Sequence, residues 1–504
     1  MDWTELADTL PAQQGLPARA TRIARLGMVR DGAQYAGLTA PFSAERSPAG
    51  EYVPITRRRP SVRSGLCRSL VEDSATLVFG EDHFPHVAAA DEATQSALAA
   101  LVRDLSLPLT MLEAATIGSV GSVVLLLHLI DRRAVVSVLE TVTLTPEFEP
   151  ARPALLRRLV QRYQVKGADL QACGYALPPG SQRQTFWFQR VWDQEDETWY
   201  QPQRLTDAAN GLPMQVDEER SVRHGMGFVP AVWVRNLPGG SGPDGACSFE
   251  AAIDTVCEID YLLSQGGRAL KYASDPTLVI KSGAAGDDAP ARTGGAATAL
   301  ELPPEGDAKL LEINGGAAGA VLEHVRYLRG LAQEAMHGNR ADADRVTAAQ
   351  SGRAQELMHQ SLTWLAGRMR QSYGETGLLT LLRMICRASG MIEGGLLIGD
   401  DETGVGLRPD GLELRWPAYF RPTNTDLLQS AQALVTAVDG GIASQETAVT
   451  AYAALTDVDD AAEELARVRA EAEAKAALAE QQADAAAVRA AAAAGTKETR
   501  VITG

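Results

Sequence analysis

The sequence predicts an α+β fold, and three observations carry that prediction. Helical periods and β-type runs interleave without βαβ regularity up to about residue 245. Two long amphipathic helical patterns then flank a short, loop-rich insert. The composition is that of a packed chain, with 45% hydrophobic and 22% charged residues, and its 46 Gly and 25 Pro are too few for a fibrous or wholly disordered protein. At 504 residues the chain is too long for one core, so roughly three structural regions are expected.

In chain order, helical spacing marks 64–77 and 92–105, and β-type runs follow at 121–129 and 134–144. The run Val123–Leu127, the alternating 134–144 stretch, the segment 184–191 with Phe186-Trp187-Phe188, and 228–234 are expected to form one antiparallel sheet. The turn-rich stretch 238–243 breaks the pattern. Ser248 then reads as an N-cap for a helix over 249–273, about 37 Å long, whose apolar stripe is Phe249, Ile253, Val256, Ile259, Leu263 and Leu270. Asp275-Pro276 ends it.

Residues 277–318 form a small insert with β runs at 277–281 and 309–313. A second helix over 320–336 presents Val321, Leu322, Val325, Leu328 and Leu331 on one face and Glu323, Arg326 and Arg329 for ion pairs. A polar loop spans 337–351, and a third long helix follows Ser351-Gly352. Beyond Gly390 a strand at 412–416 returns the chain to its first region, followed by helices near 426–438 and 444–455. From Ala461 the Ala-, Glu-, Arg- and Gln-rich tail has helix propensity but few large apolar side chains, so an exposed helix is expected.

Charge and motifs narrow the function. With 47 Lys+Arg against 64 Asp+Glu the net charge is −17, which argues against a protein that coats nucleic acid by neutralising phosphates. The acidic start without an apolar segment is not that of a secretory signal, and the apolar stretch 117–130 is too short to span a membrane. Five cysteines, Cys67, Cys173, Cys247, Cys257 and Cys386, are odd in number and lack CxxC spacing; they read as buried small residues in a reducing compartment. No phosphate-binding loop, HExxH, CxxC or nucleophile-elbow motif is present. His83 and His86, with Asp82, lie in a turn without further ligands, so no metal or cofactor is expected.

Three charged groups stand out. Glu250, Asp254 and Glu258 fall at i, i+4 and i+8, one stripe of the first long helix. The stripe reads either as a solvated face or as an acidic lining, or as a surface that meets Arg326 and Arg329 of a neighbouring helix or subunit. A carboxylate-dependent hydrolase built on Asp254 and Glu258 is a remote alternative. Arg57, Arg58 and Arg59, with Arg63 and Arg68, make the densest basic patch, read as an intersubunit ion-pair surface in a chain with carboxylates in excess, with phosphate binding as the alternative. On the polar loop, Arg340 and Arg345 alternate with Asp342 and Asp344, beside Asn339, giving a nearly neutral segment that reads either as an ordinary mobile loop or as one that can touch DNA without gripping it.

This order of elements resembles the portal protein family of tailed bacteriophages. Residues 59–73, leading to Leu77-Val78-Phe79-Gly80, resemble the early portal helix and its closing turn. Val232-Trp233-Val234-Arg235-Asn236-Leu237, then Ser248-Phe249-Glu250, resembles the start of the portal stem, and 273–280 its exit into the clip. Gln350-Ser351-Gly352-Arg353-Ala354 resembles the opening of the long helix after the tunnel loop, and Gly440-Gly441-Ile442-Ala443-Ser444 a turn near the C-terminus. The collinear match covers residues 50–470; the first fifty residues and the Ala-rich tail match no pattern.

The resemblance implies a portal-like architecture. Residues 1–245 and 391–421 would be the wing, 246–276 and 319–336 the stem helices, and 277–318 the clip. Residues 337–351 would be the tunnel loop, 352–390 the long helix behind it, and 422–504 a helical crown with the tail. It implies a non-enzymatic, usually dodecameric ring at one capsid vertex of the virion, assembled in the host cytoplasm. Double-stranded DNA would pass through it during packaging and ejection. Partners would be the terminase large subunit, head-completion and adaptor proteins, and major capsid and scaffolding proteins, with no membrane. Asn339, Arg340 and Arg345 would then approach the DNA. The rival is another virion structural protein, from a capsid vertex or baseplate, without a DNA channel.

Overall fold

The computed structural model describes residues 2–12, 15–209, 211–273, 277–281, 307–311, 316–338, 359–399, 403–420, 424–453, 455–456 and 461–498. It divides into two compact units: the first holds residues 1–341 and 359–416, and the second holds 342–358 and 417–504.

The first unit begins with helices α1 (Trp3–Thr9) and α2 (Ala18–Arg30), the short strands β1 (Ala40–Pro41) and β2 (Arg58–Arg59), and α3 (Leu66–Phe79). Strand β3 (His86–Ala88) leads to α4 (Glu92–Asp104) and α5 (Leu107–Gly118). A carboxylate cap starts α4, where Asp91 accepts the N–H of Thr94 at 2.8 Å. Strands β4 (Ser122–Ile130), β5 (Arg133–Glu140), β6 (Leu144–Glu149) and β7 (Arg152–Lys166) follow, then α6 (Gly167–Ala172), β8 (Thr185–Trp192), β9 (Asp196–Tyr200), β10 (Gln203–Arg204), α7 (Leu205–Ala209), β11 (Val216–Arg223) and β12 (Ala231–Arg235). The long helix α8 (Ile253–Ala273), the strands β13 (Thr277–Lys281) and β14 (Asp307–Leu311), and helix α9 (Gly316–Ala335) come next. Helix α10 (Gln360–Met369) passes through a π-helical segment (Arg370–Leu378) into α11 (Leu379–Ser389), and β15 (Glu413–Arg415) closes the unit.

The single sheet expected from the sequence is two. Strands β12, β4 and β5 form a three-stranded antiparallel sheet, with Val124 opposite both Trp233 and Leu139. Strand β8 belongs instead to a larger sheet ordered β11-β9-β8-β7-β6, with β10 also paired to β8. The reason is local: the 134–144 stretch is interrupted by a 3₁₀ turn over Thr141–Thr143, after which Leu144 starts a strand paired to β7. Residues Val123 to Leu127 are buried in an unbroken run because β4 is the middle strand of the small sheet and is covered there on both faces. Between the sheets lies a core of Leu144, Leu159, Trp192 and Trp233, with Val124 and Leu126 from β4. The returning strand is as expected: β15 pairs antiparallel with β3, Leu414 opposite Val87. The insert's β-run also forms, with Thr277 opposite Leu311 and Lys281 opposite Asp307.

The third long helix forms over 360–389, but not as one regular α-helix. Its π-helical middle places Tyr373, fully buried, and Gly374 against other elements. A Cβ on Gly374 would lie 2.2 Å from Cζ2 of Trp416, so only glycine admits that ring, which also packs 5.8 Å from Phe79. The second unit contains α12 (Asn424–Asp439), α13 (Gln445–Ala453) and α14 (Ala461–Glu498). Leu465 of α14 is buried, whereas the described side chains from Ala470 onward are exposed, as the tail's composition predicted. Among the described residues no helix is long and apolar enough to cross a membrane.

Candidate functional site

The elements that best define a site are α8, its neighbour α9, and the polar groups that fix α8 to the rest of the first unit. Phe249, Ile253, Val256 and Ile259 are buried as the periodicity predicted, but Asp260, beside them, is completely buried as well. One carboxylate oxygen accepts the N–H of Ser64 at 2.7 Å, and the other accepts the hydroxyl of Tyr35 at 3.0 Å. Ser64 lies two residues before the start of α3, so the carboxylate sits at the approach to that helix's N-terminus, where peptide dipoles favour negative charge. One turn on, Ser264 accepts the N–H of Val62 at 3.0 Å, and the Tyr261 hydroxyl donates to the Arg58 carbonyl at 2.9 Å. One face of α8 thus holds the chain of residues 56–64, which leaves a 3₁₀ turn at Arg57.

Burial, the dominant influence, raises the Asp260 carboxyl above the ordinary carboxylate range, against the lowering effect of the bonds from Ser64 and Tyr35 and the charge of Arg63. Burial likewise pushes the Cys257 thiol up to about 11 and Cys247 to about 12, and raises Cys67 further. These thiols stay protonated at neutral pH and are poor nucleophiles. Two cysteines depart from the expectation that all are buried: Cys173 is exposed, just past the end of α6, and Cys247 is half-buried.

A second anchor delivers the chain into α8. Asn236, one residue past β12, donates from its amide to the carbonyls of Ser119 (3.1 Å) and Ala246 (2.8 Å) and to the Ser248 hydroxyl (2.9 Å), and accepts from the Tyr373 hydroxyl at 2.8 Å. Asp244 receives a two-pronged bond from Arg19 at 2.6 and 2.8 Å and another from the Ser122 hydroxyl. The turn-rich 238–243 segment is therefore a fixed corner. Ser248 does not cap the helix as expected, because its hydroxyl is engaged by Asn236; a 3₁₀ turn over Glu250–Ala252 leads into α8 instead.

The acidic stripe is oriented by its own chain. Glu250 pairs with Arg22 at 2.5 Å, and Asp254 accepts the backbone N–H of Trp3 at 2.6 Å, so α1 and α2 lie against its first half; Glu258, a turn further, is exposed. Arg326 and Arg329 are exposed on α9 and make no ion pair among the described residues, so the sequence's pairing of them with the stripe does not occur within the chain.

The basic patch is only partly a surface. Arg58 is buried, donating to the Val53 carbonyl at 2.9 Å and stacking 5.4 Å over Tyr52, which removes it from any intersubunit patch. Arg63 donates to the Gly32 carbonyl at 2.8 Å and Arg68 pairs with Glu72 at 2.7 Å, while Arg57 and Arg59 are exposed. Asn339, Arg340 and Arg345 lie outside the described residues. Among the described residues no group of three His, Cys, Asp or Glu side chains could hold a metal ion.

Sequence reasoning missed Asp260, Asn236 and Asp244. The signal for Asp260 was present, a carboxylate beside Ile259 on the inner half of an apolar stripe. Asn236 and Asp244 sit at a strand end and in a Gly/Pro turn, where polar residues carry no pattern.

A family model described as Phage portal protein, SPP1 Gp6-like, matches residues 188–478, more than half of the chain. That span includes β12, both anchoring residues Asn236 and Asp244, and the helix pair α8 and α9. No curated protein matches the chain.

Proposed function

The chain belongs to the phage portal protein family, SPP1 Gp6-like, and from that premise we propose that it forms a closed ring at one capsid vertex and conducts the viral genome. In this reading terminase drives DNA through the ring during packaging, DNA leaves through it at ejection, and neck and tail proteins dock on it afterwards. Residues 1–245 and 391–421 act as the wing, α8 and α9 as the stem, 277–318 as the clip, 337–351 as the tunnel loop and 422–504 as the crown. The chain works as a structural conduit and not by catalysis.

The observation that carries the reading is that the family match runs through a helix pair whose first member is locked into the rest of the first unit by buried polar groups. A wall that DNA slides past must be stiff, and it must not bind phosphates. Asp260, Asn236 and Asp244 supply the first property. A net charge of −17 fits the second, since an acidic surface repels the DNA backbone. Arg340 and Arg345, between α9 and α10 in the sequence, then supply a few weak contacts. Electron microscopy of the purified protein tests the proposal: closed rings viewed end-on are expected, and a preparation of monomers or dimers alone would overturn it. Arg340→Ala with Arg345→Ala is expected to leave ring formation intact and lower the amount of DNA retained in capsids.

A further inference from the structure

The large sheet has opposite charges on its opposite edges. Strand β6 pairs with β7 only as far as Gln161, so from Arg162 to Lys166 β7 is itself the edge of the sheet. Arg162 and Lys166 are both exposed there. Neither makes an ion pair among the described residues, and Arg162 is held by stacking 4.7 Å over the Trp187 ring. At the other edge lies β11, three strand spacings or about 14 Å away. Its pairing with β9 shifts register between Asp217 and Val222, and within that bulge Glu218 and Glu219 are exposed and without an ion pair among the described residues. The other charges of β11 are cancelled locally, Arg220 by Asp217 and Arg223 by Glu195. Val216 and Val222 flank the two carboxylates and are 48% and 56% exposed.

Charges on sheet edges commonly serve to prevent edge-to-edge pairing, and that purpose is met when both edges repel. Here one edge is positive and the other negative, which repels like edges and attracts unlike ones. A contact between two different patches on opposite sides of one subunit is heterologous, the kind that builds rings. Trp187 is not free for base stacking, since Arg162 lies over its ring, and two cations make a poor phosphate track; a protein edge suits the surface better than nucleic acid.

We infer that the Arg162–Lys166 edge of one copy of this chain docks on the Glu218–Glu219 edge of the next. The inference rests on the ring reading above and names its contact. The test is ring assembly of the full-length chain, read by mass photometry and electron microscopy. Arg162→Glu with Lys166→Glu is expected to lower the ring population about tenfold or more at moderate salt, because like charges then face each other across the contact. Glu218→Arg with Glu219→Arg should do the same. Combining all four substitutions should restore rings, and circular dichroism of each variant separates loss of assembly from loss of fold. Should a double variant misfold, the quadruple variant still decides, since its edges are again complementary. Rings that form equally well in all variants, or a folded quadruple variant that does not recover them, overturn the inference; a wild-type chain that forms no rings overturns the ring reading itself.

Discussion

Asp260 is the side chain on which the placement of α8 most depends. Its carboxylate is completely buried and is the acceptor for the N–H of Ser64 and the hydroxyl of Tyr35. Asp260→Ala leaves both donors unpaired, and a loss of about 2–4 kcal/mol is expected, read as a lower urea midpoint. Asp260→Asn keeps one acceptor and should cost less. The same pair of proteins gives a pH test. Burial raises the carboxyl's pKa in the folded chain above its unfolded value, so the stability it contributes is fully present below the ordinary carboxylate range and is lost as pH rises through the raised value. The wild type should therefore lose stability relative to Asp260→Asn between acid and neutral pH; parallel stability curves for the two would contradict the burial. Asn236 predicts a similar outcome without pH dependence. Asn236→Ala strands the Tyr373 hydroxyl and frees the corner before α8, so a drop of about 2–4 kcal/mol in unfolding free energy is expected.

Among the elements, the π-helical segment and the tail make opposite predictions. Gly374→Ala drives a methyl group into Trp416 and should destabilise by about 1–3 kcal/mol, measured by thermal or urea unfolding. Truncation after Ala472 removes only exposed described side chains and should leave the unfolding midpoint unchanged. The elements themselves were mostly legible from the sequence. Apolar spacing predicted α3, α4 and α8 to within a few residues, because each buries one stripe and periodicity reports burial; α9, α12 and α13 also formed where expected, although Leu322 and Leu331 of α9 and Leu428 and Val435 of α12 are exposed. What periodicity cannot report is which strands pair. Strands β5 and β8 both read as half-buried runs, yet a three-residue 3₁₀ turn after Glu140 sends the chain into a second sheet. The π-helical segment was equally hidden, since Gly374 and Gly377 mark it only once Trp416 and Val234 are in place. Of the candidate site residues, the stripe and the patch were visible as charge patterns, but a charge pattern does not say that Arg22 lies over Glu250 or that Arg58 points inward.

For the whole molecule, the excess of carboxylates changes meaning once the family is known. On its own a charge of −17 argues against a nucleic-acid coat; under the proposed function it fits a wall that lets DNA pass. Part of that negative charge is already neutralised, since α1 and α2 bring Arg22 and the Trp3 N–H to Glu250 and Asp254. Opposite charges on the two edges of the large sheet give the chain two unlike surfaces, as the proposed heterologous ring would require. The most direct test is a reconstruction of the purified protein by cryo-electron microscopy. The account predicts a closed ring with α8 and α9 around a central opening; a closed assembly without such an opening, or one with the helix pair on its outer rim, would contradict it.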